Sequence, residues 1–230
     1  MRLLLVGRGR MGRIVEQLAP QYGFELAGVL EEDSNPGGAG VNAERCRGVD
    51  VAVDFSTAEA TLATAPRLAA LGVNLVIGST GWQASEAELR GAVAASSVGA
   101  VVSANFSRAA NLLEALVERA GGLFASADSY GAFIHEAHHK AKKDAPSGTA
   151  LMLRRALERG GYPLPVDVSS TRAGWIPGTH TVGFDGPAET LTLVHAVRDR
   201  ATFAHGALEA ARWVVGRRGW FTMKDVLGLG

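Results

Sequence analysis

The chain has 230 residues, 47% of them hydrophobic and 20% charged, and its 23 basic and 23 acidic side chains give a formal net charge of zero. This composition is typical of a globular protein with one large or two small domains, and the balanced charge argues against a nucleic-acid or membrane partner. The single cysteine, Cys46, excludes an internal disulfide and favours a cytoplasmic location. No apolar run approaches the ~20 residues that cross a bilayer, and no signal-peptide pattern precedes the first strand.

Short apolar runs alternate with helical patterns over the first 106 residues. The predicted strands are 2–6, 24–30, 49–55, 75–77 and 98–103, and the predicted helices cover 14–18, 58–71 and 85–95. This alternation indicates a parallel sheet with right-handed crossovers. We therefore predict an α/β fold with a Rossmann-like, doubly wound parallel sheet over residues 1–106.

The pattern changes after residue 106. A predicted helix at 109–120 leads to an apolar stretch at 130–134, and a second helix at 148–159 ends before the Gly-Gly-Tyr-Pro break at 160–163. Strands at 166–172, 180–184 and 189–196 and a helix at 203–215 follow. We predict a second, α+β domain with a mixed sheet over 107–205, and a C-terminal segment, 206–230, that returns to the first domain.

A glycine-rich loop follows the first predicted strand. Its residues fit the G-x-G-x-x-G spacing that lets a pyrophosphate approach a helix start, and all six are predicted to bind a dinucleotide: Gly7, Arg8, Gly9, Arg10, Met11 and Gly12. Glu31 closes the second strand ~20 residues later, where an acid can bind the ribose hydroxyls. The alternative for the glycine loop is an ordinary strand–turn–helix connection, and the alternative for Glu31 is a solvent-exposed acid in a loop.

The residues after the second strand bear on the form of the cofactor. NADP requires a cation near its 2′-phosphate, and Glu31 and Glu32 would repel that phosphate. The sequence therefore favours NADH. Arg8 and Arg10 could reach the phosphate, so use of NADPH stays open.

Two further loops follow predicted strand ends, where ligands bind in open α/β sheets. We predict that both line the cofactor site, with ordinary connecting loops as the alternative. Their residues are Gly78, Ser79 and Thr80 in one loop, and Ser103, Ala104, Asn105 and Phe106 in the other.

The segment from Glu136 to Ala150 is the most informative of the chain. It places two imidazoles, His138 and His139, and three lysines just before Pro-Ser-Gly-Thr, which is typical of a helix start. The free N–H groups of that start and the helix dipole suit an anion, and a histidine suits proton transfer near neutral pH. The segment therefore predicts an acidic substrate and acid–base chemistry.

Other interpretations of this segment are weaker. A metal site at His135, His138 and His139 is opposed by the neighbouring lysines, and we predict no metal. A hydrolase using Ser147 would need a G-x-S-x-G elbow, which the sequence lacks. Structural histidines and a solvated lysine face remain alternatives.

The segment resembles the signature of the dihydrodipicolinate reductases, enzymes of the diaminopimelate route to lysine. The likeness spans nearly the whole chain and includes the glycine loop, the Gly78 and Asn105 loops and the stretch Arg172–His180. Three departures are a glycine loop shorter by one residue, Glu32 in place of a frequent Arg, and a short connection at 160–166. The first two bear on cofactor preference.

The resemblance implies NAD(P)H-dependent reduction of 4-hydroxy-tetrahydrodipicolinate, a small cyclic dicarboxylate. It implies that His138 is the general acid/base, that Lys142 is a proton donor, and that His139, Gly148 and Thr149 bind substrate. It also implies that the second domain binds substrate and joins a homotetramer. The role of Arg172 stays open, since it could hold a carboxylate of the substrate or order the domain. Another imino-acid dehydrogenase and a nicotinamide-binding regulator are the rival functions.

Overall fold

The structure is a computed structural model that describes residues 1–229. It divides into two compact units, one formed by Met1–Arg108 together with the segment from Ala201 onward (unit 1), and the other by Ala109–Arg200 (unit 2). The elements, in chain order, are β1 (Arg2–Val6), α1 (Arg10–Leu18), β2 (Glu25–Leu30), β3 (Val51–Asp54), α2 (Ala58–Ala70), β4 (Asn74–Ile77), α3 (Glu86–Ala94), β5 (Gly99–Val102), α4 (Arg108–Phe124), β6 (Gly131–His138), α5 (Gly148–Arg159), β7 (Asp167–Arg172), β8 (Thr179–Asp185), β9 (Thr190–Ala196), α6 (Ala201–Val214), β10 (Gly219–Phe221) and α7 (Met223–Leu227). Short 3-10 turns occupy Ala19–Tyr22, Pro36–Gly38 and Gln83–Ser85.

Unit 1 is built on a parallel sheet. Within residues 1–229 this sheet has six strands in the order β10-β5-β4-β3-β1-β2. Its strands are apolar on both sides, as expected when helices cover both faces: Leu4 and Val6 of β1 enter one core, and Leu3 and Leu5 enter the other. This sheet confirms the predicted Rossmann-like fold.

The C-terminal part of unit 1 contains an element that the sequence did not predict. Strand β10 pairs with β5 at the edge of the sheet, and α6 begins at Ala201, before the predicted start at 203. A strand of three residues is too short to give a periodic pattern. Its two aromatic residues, Trp220 and Phe221, instead pack beside the cores.

Unit 2 carries a mixed sheet, as predicted. Across the described chain its strands are ordered β7-β6-β8-β9, with β6 parallel to β7 and antiparallel to β8. Its apolar core is drawn from one face of the sheet and from helices α4 and α5. Strand β6 runs to His138, beyond the apolar stretch predicted at 130–134. The prediction ended too early because the second half of the strand carries mainly polar side chains. No helix in residues 1–229 is both long and apolar enough to span a membrane.

Candidate active site

The glycine loop after β1 is shaped by close backbone contacts. Gly7 has φ +84°, and a Cβ there would lie 2.9 Å from the Cα of Ser56. A Cβ on Gly12 would overlap the carbonyl oxygen of Gly7, so α1 can approach the loop only with glycine at this position. Gly9 precedes α1, and among the described residues no side chain caps that helix start. The open N–H groups fit the pyrophosphate of a dinucleotide.

The other residues of this loop have different surroundings. The Arg8 guanidinium donates through Nε and Nη2 to the two carboxylate oxygens of Glu16, at 2.9 and 3.1 Å. Arg10 is exposed at the first position of α1, whereas Met11 is partly buried and packs against the core. Glu31 is exposed immediately after β2. Arg8 is thus held by an acid of its own unit.

The loop after β4 is largely turned inward. Gly78 lies so close to the Phe55 ring that a Cβ would overlap it. Ser79 is 6% exposed, and its hydroxyl lies 2.5 Å from the Thr61 hydroxyl. Thr80 is exposed. The backbone of this loop and Thr80 are therefore the parts available to a ligand.

The loop after β5 is closed by its own polar groups. The Asn105 N–H donates to Ser103 Oγ, which in turn donates to the Asn105 carbonyl oxygen at 2.8 Å. Asn105 Oδ1 accepts from the Ser107 N–H, Ala104 is exposed, and Phe106 is buried against Phe55. The side chain of Phe106 thus packs in the core and anchors the loop.

Asp54, which the sequence analysis did not single out, connects the loops that follow β3 and β4. Its buried carboxylate accepts from the Ser56 N–H at 2.8 Å, from Ser56 Oγ at 2.5 Å and from Thr61 Oγ1 at 2.8 Å. Burial raises the pKa of this carboxyl, although the bonds from Ser56 and Thr61 oppose the rise. Since Ser56 abuts Gly7 and Thr61 contacts Ser79, Asp54 orders three loops at the carboxyl ends of the strands.

In unit 2, strand β6 brings Glu136 and His138 to the same face of the sheet. Glu136 is fully buried, and one of its carboxylate oxygens accepts from Nδ1 of His138. Arg172, at the end of β7, donates to both carboxylate oxygens, at 2.6 and 2.9 Å, and the Ser147 N–H donates to Oε1 at 3.2 Å. These contacts join β6, β7 and the start of α5 around one carboxylate.

The pKa of Glu136 is low in spite of its burial. Desolvation alone would raise it, but the hydrogen bonds from Arg172, Ser170 and His138 outweigh that cost and lower the pKa to about 2. Glu136 is therefore ionised at neutral pH and can only accept hydrogen bonds.

His138 is the predicted acid/base, and its surroundings favour the neutral ring. Desolvation lowers its pKa, and Lys142 and Arg172 add to this effect, while Glu136 opposes it. Its Nε2 atom lies beside Gly178, where a Cβ would be 3.1 Å away. Nε2 is thus the nitrogen left for chemistry.

His180 supports the same cluster from β8. It is 3% exposed, its ring packs edge-on against His138 at 5.1 Å, and its Nε2 lies 3.1 Å from Ser147 Oγ. Burial, with the nearby His138 and His195, lowers its pKa to about 4. Ser147 is also the N-cap of α5 and accepts from the Ala150 N–H at 3.2 Å. His180 thus connects the acid/base to the helix start.

The residues predicted to bind substrate or donate a proton lie between the end of β6 and the first turn of α5. The Lys142 ammonium is 2.8 Å from a carboxylate oxygen of Asp144. The bond from Lys142 is the main reason that the pKa of Asp144 is lowered, against a smaller effect of burial. Thr149, in the first turn of α5, and His139, which follows β6, are half-buried.

One group of potential metal ligands occurs within residues 1–229. Ligand atoms of Glu136, His138 and His180 lie within 4.8 Å of one another, a different set from the histidines weighed from the sequence. Both oxygens of Glu136 already accept from the Arg172 guanidinium, and a cation would have to displace that positive group. We assign no metal here.

Comparison with known proteins decides the family. A family model for the N-terminus of dihydrodipicolinate reductase matches residues 1–106, and one for its C-terminus matches 109–227. The chain belongs to the dihydrodipicolinate reductase family. The 4-hydroxy-tetrahydrodipicolinate reductase of Acidiphilium cryptum (strain JF-5) is 38% identical over 96% of this chain and 94% of that protein. That of Methanoregula boonei is 37% identical over 96% and 95%.

Solved structures agree with this fold. A dipicolinate-bound dihydrodipicolinate reductase from Paenisporosarcina sp. TG-14 has a TM-score of 0.81 over 98% of both chains, at 22% identity. An aspartate dehydrogenase from Thermotoga maritima has a TM-score of 0.54 at 13% identity, over 94% of this chain and 97% of that one. At such identities the likeness supports the fold alone.

For this member of the dihydrodipicolinate reductase family, sequence reasoning assigned no role to four residues of these clusters. They are Asp54, Glu136, Asp144 and His180. The spacing of Glu136 and His138 carried a usable signal, since residues two apart in a strand share a face. No comparable signal connected Glu136 to Arg172, because their contact depends on the pairing of β6 with β7.

Proposed function

We propose that this chain reduces 4-hydroxy-tetrahydrodipicolinate with NADH or NADPH in the diaminopimelate route to lysine. The observation that carries the proposal is the cluster at the end of β6, where His138 is fixed by an ionised carboxylate next to Lys142 and the start of α5. This set combines proton transfer with donors for an anionic substrate.

The residues of unit 2 have the following proposed roles. Loss of the 4-hydroxyl of the substrate as water leaves a conjugated imine, to whose C4 the hydride adds. His138 acts through Nε2 as general acid/base, and Lys142 donates a proton to the resulting enamine. His139, Gly148 and Thr149 hold the substrate, with a carboxylate bound by the N–H groups at the start of α5. Because Asp144 pairs with Lys142, an anionic substrate must compete with Asp144 for this lysine.

The residues of unit 1 would hold the cofactor. When bound, the reduced nicotinamide supplies the hydride. The Gly7–Gly12 loop would bind its pyrophosphate, Glu31 its ribose hydroxyls, and the loops at 78–80 and 103–106 its nicotinamide half. We propose a preference for NADH, since Glu31 and Glu32 oppose a 2′-phosphate and Arg8 is paired with Glu16. We also propose that the protein is cytoplasmic and forms a homotetramer joined through the sheet of unit 2.

The test follows cofactor absorbance with freshly made substrate from aspartate semialdehyde, pyruvate and the upstream synthase, using NADH and NADPH in parallel. We expect oxidation that requires the synthase product. His138→Ala should lower kcat by about 10²–10⁴-fold with little change in KM. His135→Ala is the matched control, because His135 is exposed on the same strand. Cofactor binding without oxidation would favour a regulator, and turnover of a different imino acid would favour a related dehydrogenase.

A further inference from the structure

Burial of an ionised carboxylate in β6 requires an explanation. Removing a carboxylate from water costs several kcal/mol, and an apolar pair of similar size would often be as stable. Glu136 is nevertheless fully buried, and its partners come from three elements: the Arg172 fork and Ser170 on β7, the Ser147 N–H at the start of α5, and His138 on β6 itself. The arrangement therefore has a use beyond packing.

That use concerns the protons of His138. A neutral imidazole carries its proton on either nitrogen, and the partner of one nitrogen decides which form is present. Since ionised Glu136 can only accept, Nδ1 of His138 must donate to it. Nε2, beside Gly178, is then free to take a proton from a substrate or return one.

Arg172 has a distinct part in this arrangement. Its two Nη atoms bind the two oxygens of Glu136, and Nη2 also donates to the Asp144 carbonyl oxygen at 2.5 Å. Without that guanidinium, the buried carboxylate would compete for the proton that His138 needs to transfer. The fork holds Glu136 in its ionised form and fixes its plane.

We propose that Glu136 and Arg172 are the positioning residues of the acid/base: Glu136 selects the Nδ1–H tautomer of His138, and Arg172 prevents Glu136 from taking the proton. The inference rests on the proposed role of His138. It assigns to Arg172 a function other than binding a substrate carboxylate, because each Nη atom donates to Glu136 and to a backbone carbonyl oxygen.

The two residues should shift the pH dependence in opposite directions. The charged and titratable groups around His138 are Glu136 on its own strand, Arg172 on β7, His180 on β8, His195 on β9 stacked against His180, and the Lys142–Asp144 pair that follows β6. Glu136→Gln removes the anion that favours the imidazolium, so the pKa that governs kcat/KM should fall by about 1 unit. Arg172→Met removes an opposing cation, so that pKa should rise.

The experiment combines nitrogen-15 NMR of the histidine side chains in the full-length protein with pH profiles of kcat/KM. Wild-type His138, assigned with His138→Gln, should show the Nδ1–H tautomer at neutral pH. Glu136→Gln should shift the ring towards Nε2–H and lower kcat/KM by about 10²–10⁴-fold. Arg172→Lys, which retains the charge without the fork, should keep the tautomer and lose less activity than Arg172→Met.

An Nε2–H tautomer in the wild-type protein would overturn the proposal, even if every variant failed to fold. An unchanged His138 tautomer in folded Glu136→Gln would also overturn the proposal. The same holds if the pKa that governs kcat/KM shifts in the same direction in Glu136→Gln and Arg172→Met. The tautomer is measured without substrate. A chain with the expected tautomer but no reductase turnover would therefore contradict the proposed function and leave the arrangement of His138 intact.

Discussion

The Asp144 carboxylate lies 2.8 Å from the Lys142 ammonium and pairs with it. Lys142 belongs to the proposed substrate site. The carboxylate of Asp144 thus competes with a carboxylate of the substrate for this lysine.

Removal of this carboxylate should strengthen the binding of a dicarboxylate. In Asp144→Ala a competing anion is lost beside Lys142, so the Kd for pyridine-2,6-dicarboxylate, measured by calorimetry, should fall by about 3- to 10-fold. Glu158→Ala is the control, because it removes an exposed acid paired with Arg154 on α5. Weaker binding by Asp144→Ala would show that Asp144 orders the loop instead of competing with the ligand.

Cofactor preference should respond to Glu16. In Glu16→Gln, Arg8 is released from its fork and becomes available to a 2′-phosphate. Exposed ion pairs contribute only about 0–1 kcal/mol, so the ratio of kcat/KM for NADPH to that for NADH should rise by no more than about 5-fold. Glu59→Gln, at the start of α2, serves as the control. A ratio that stays constant in Glu16→Gln would remove Arg8 from the account of specificity.

Gly178 should be required beside the acid/base. In Gly178→Ala the new methyl group would lie 3.1 Å from His138 Nε2, at a residue with φ +138°. We expect kcat/KM to fall by about 10- to 100-fold, through blocked access to Nε2 and backbone strain. Gly174→Ala is a close control, because Gly174 has φ +48° in the same loop and open space around it. Equal losses in the two variants would attribute the effect to the backbone alone.

Asp54 should matter for cofactor binding as well as for stability. Asp54→Asn cannot accept all the bonds from Ser56 and Thr61, and we expect it to cost about 1–3 kcal/mol of stability and to raise the Kd for NADH several-fold. Asp50→Asn is the control, since Asp50 accepts from the Arg2 N–H near the opposite end of β3. Calorimetric unfolding and NADH fluorescence titration measure the two effects. Unchanged NADH binding in folded Asp54→Asn would restrict Asp54 to a structural role.

Acid should destabilise the protein partly through His180. Its pKa is lowered from 6.5 to about 4, so between these pH values the unfolded chain binds more protons than the folded one. The free energy of unfolding therefore falls as pH falls through this window, by roughly 3 kcal/mol from this residue. Urea titrations at pH 7.5 and 4.5 should show a smaller loss for His180→Gln than for the control His135→Gln. Equal losses would indicate that other groups cause the acid sensitivity.

Both sheets, the glycine loop and the helix start at Gly148 followed from sequence patterns. These features depend on residues close together in the chain, where periodicity and turn chemistry are informative. The contacts of His138 were not predictable in this way. Glu136 meets Arg172 only because Glu136 pairs with Ser170 and His138 with Arg172 across β6 and β7, and that register is a property of the folded sheet.

The alternation of β6 has a consequence for how this protein can vary in length. Glu136 and His138 point to the chemical face, while His135 is exposed on the other. Insertion or deletion of one residue before Glu136 would exchange the two faces, removing the acid/base and burying the wrong side chains in a single event. We therefore expect changes in length to be tolerated in connections such as 160–166 and not within β6.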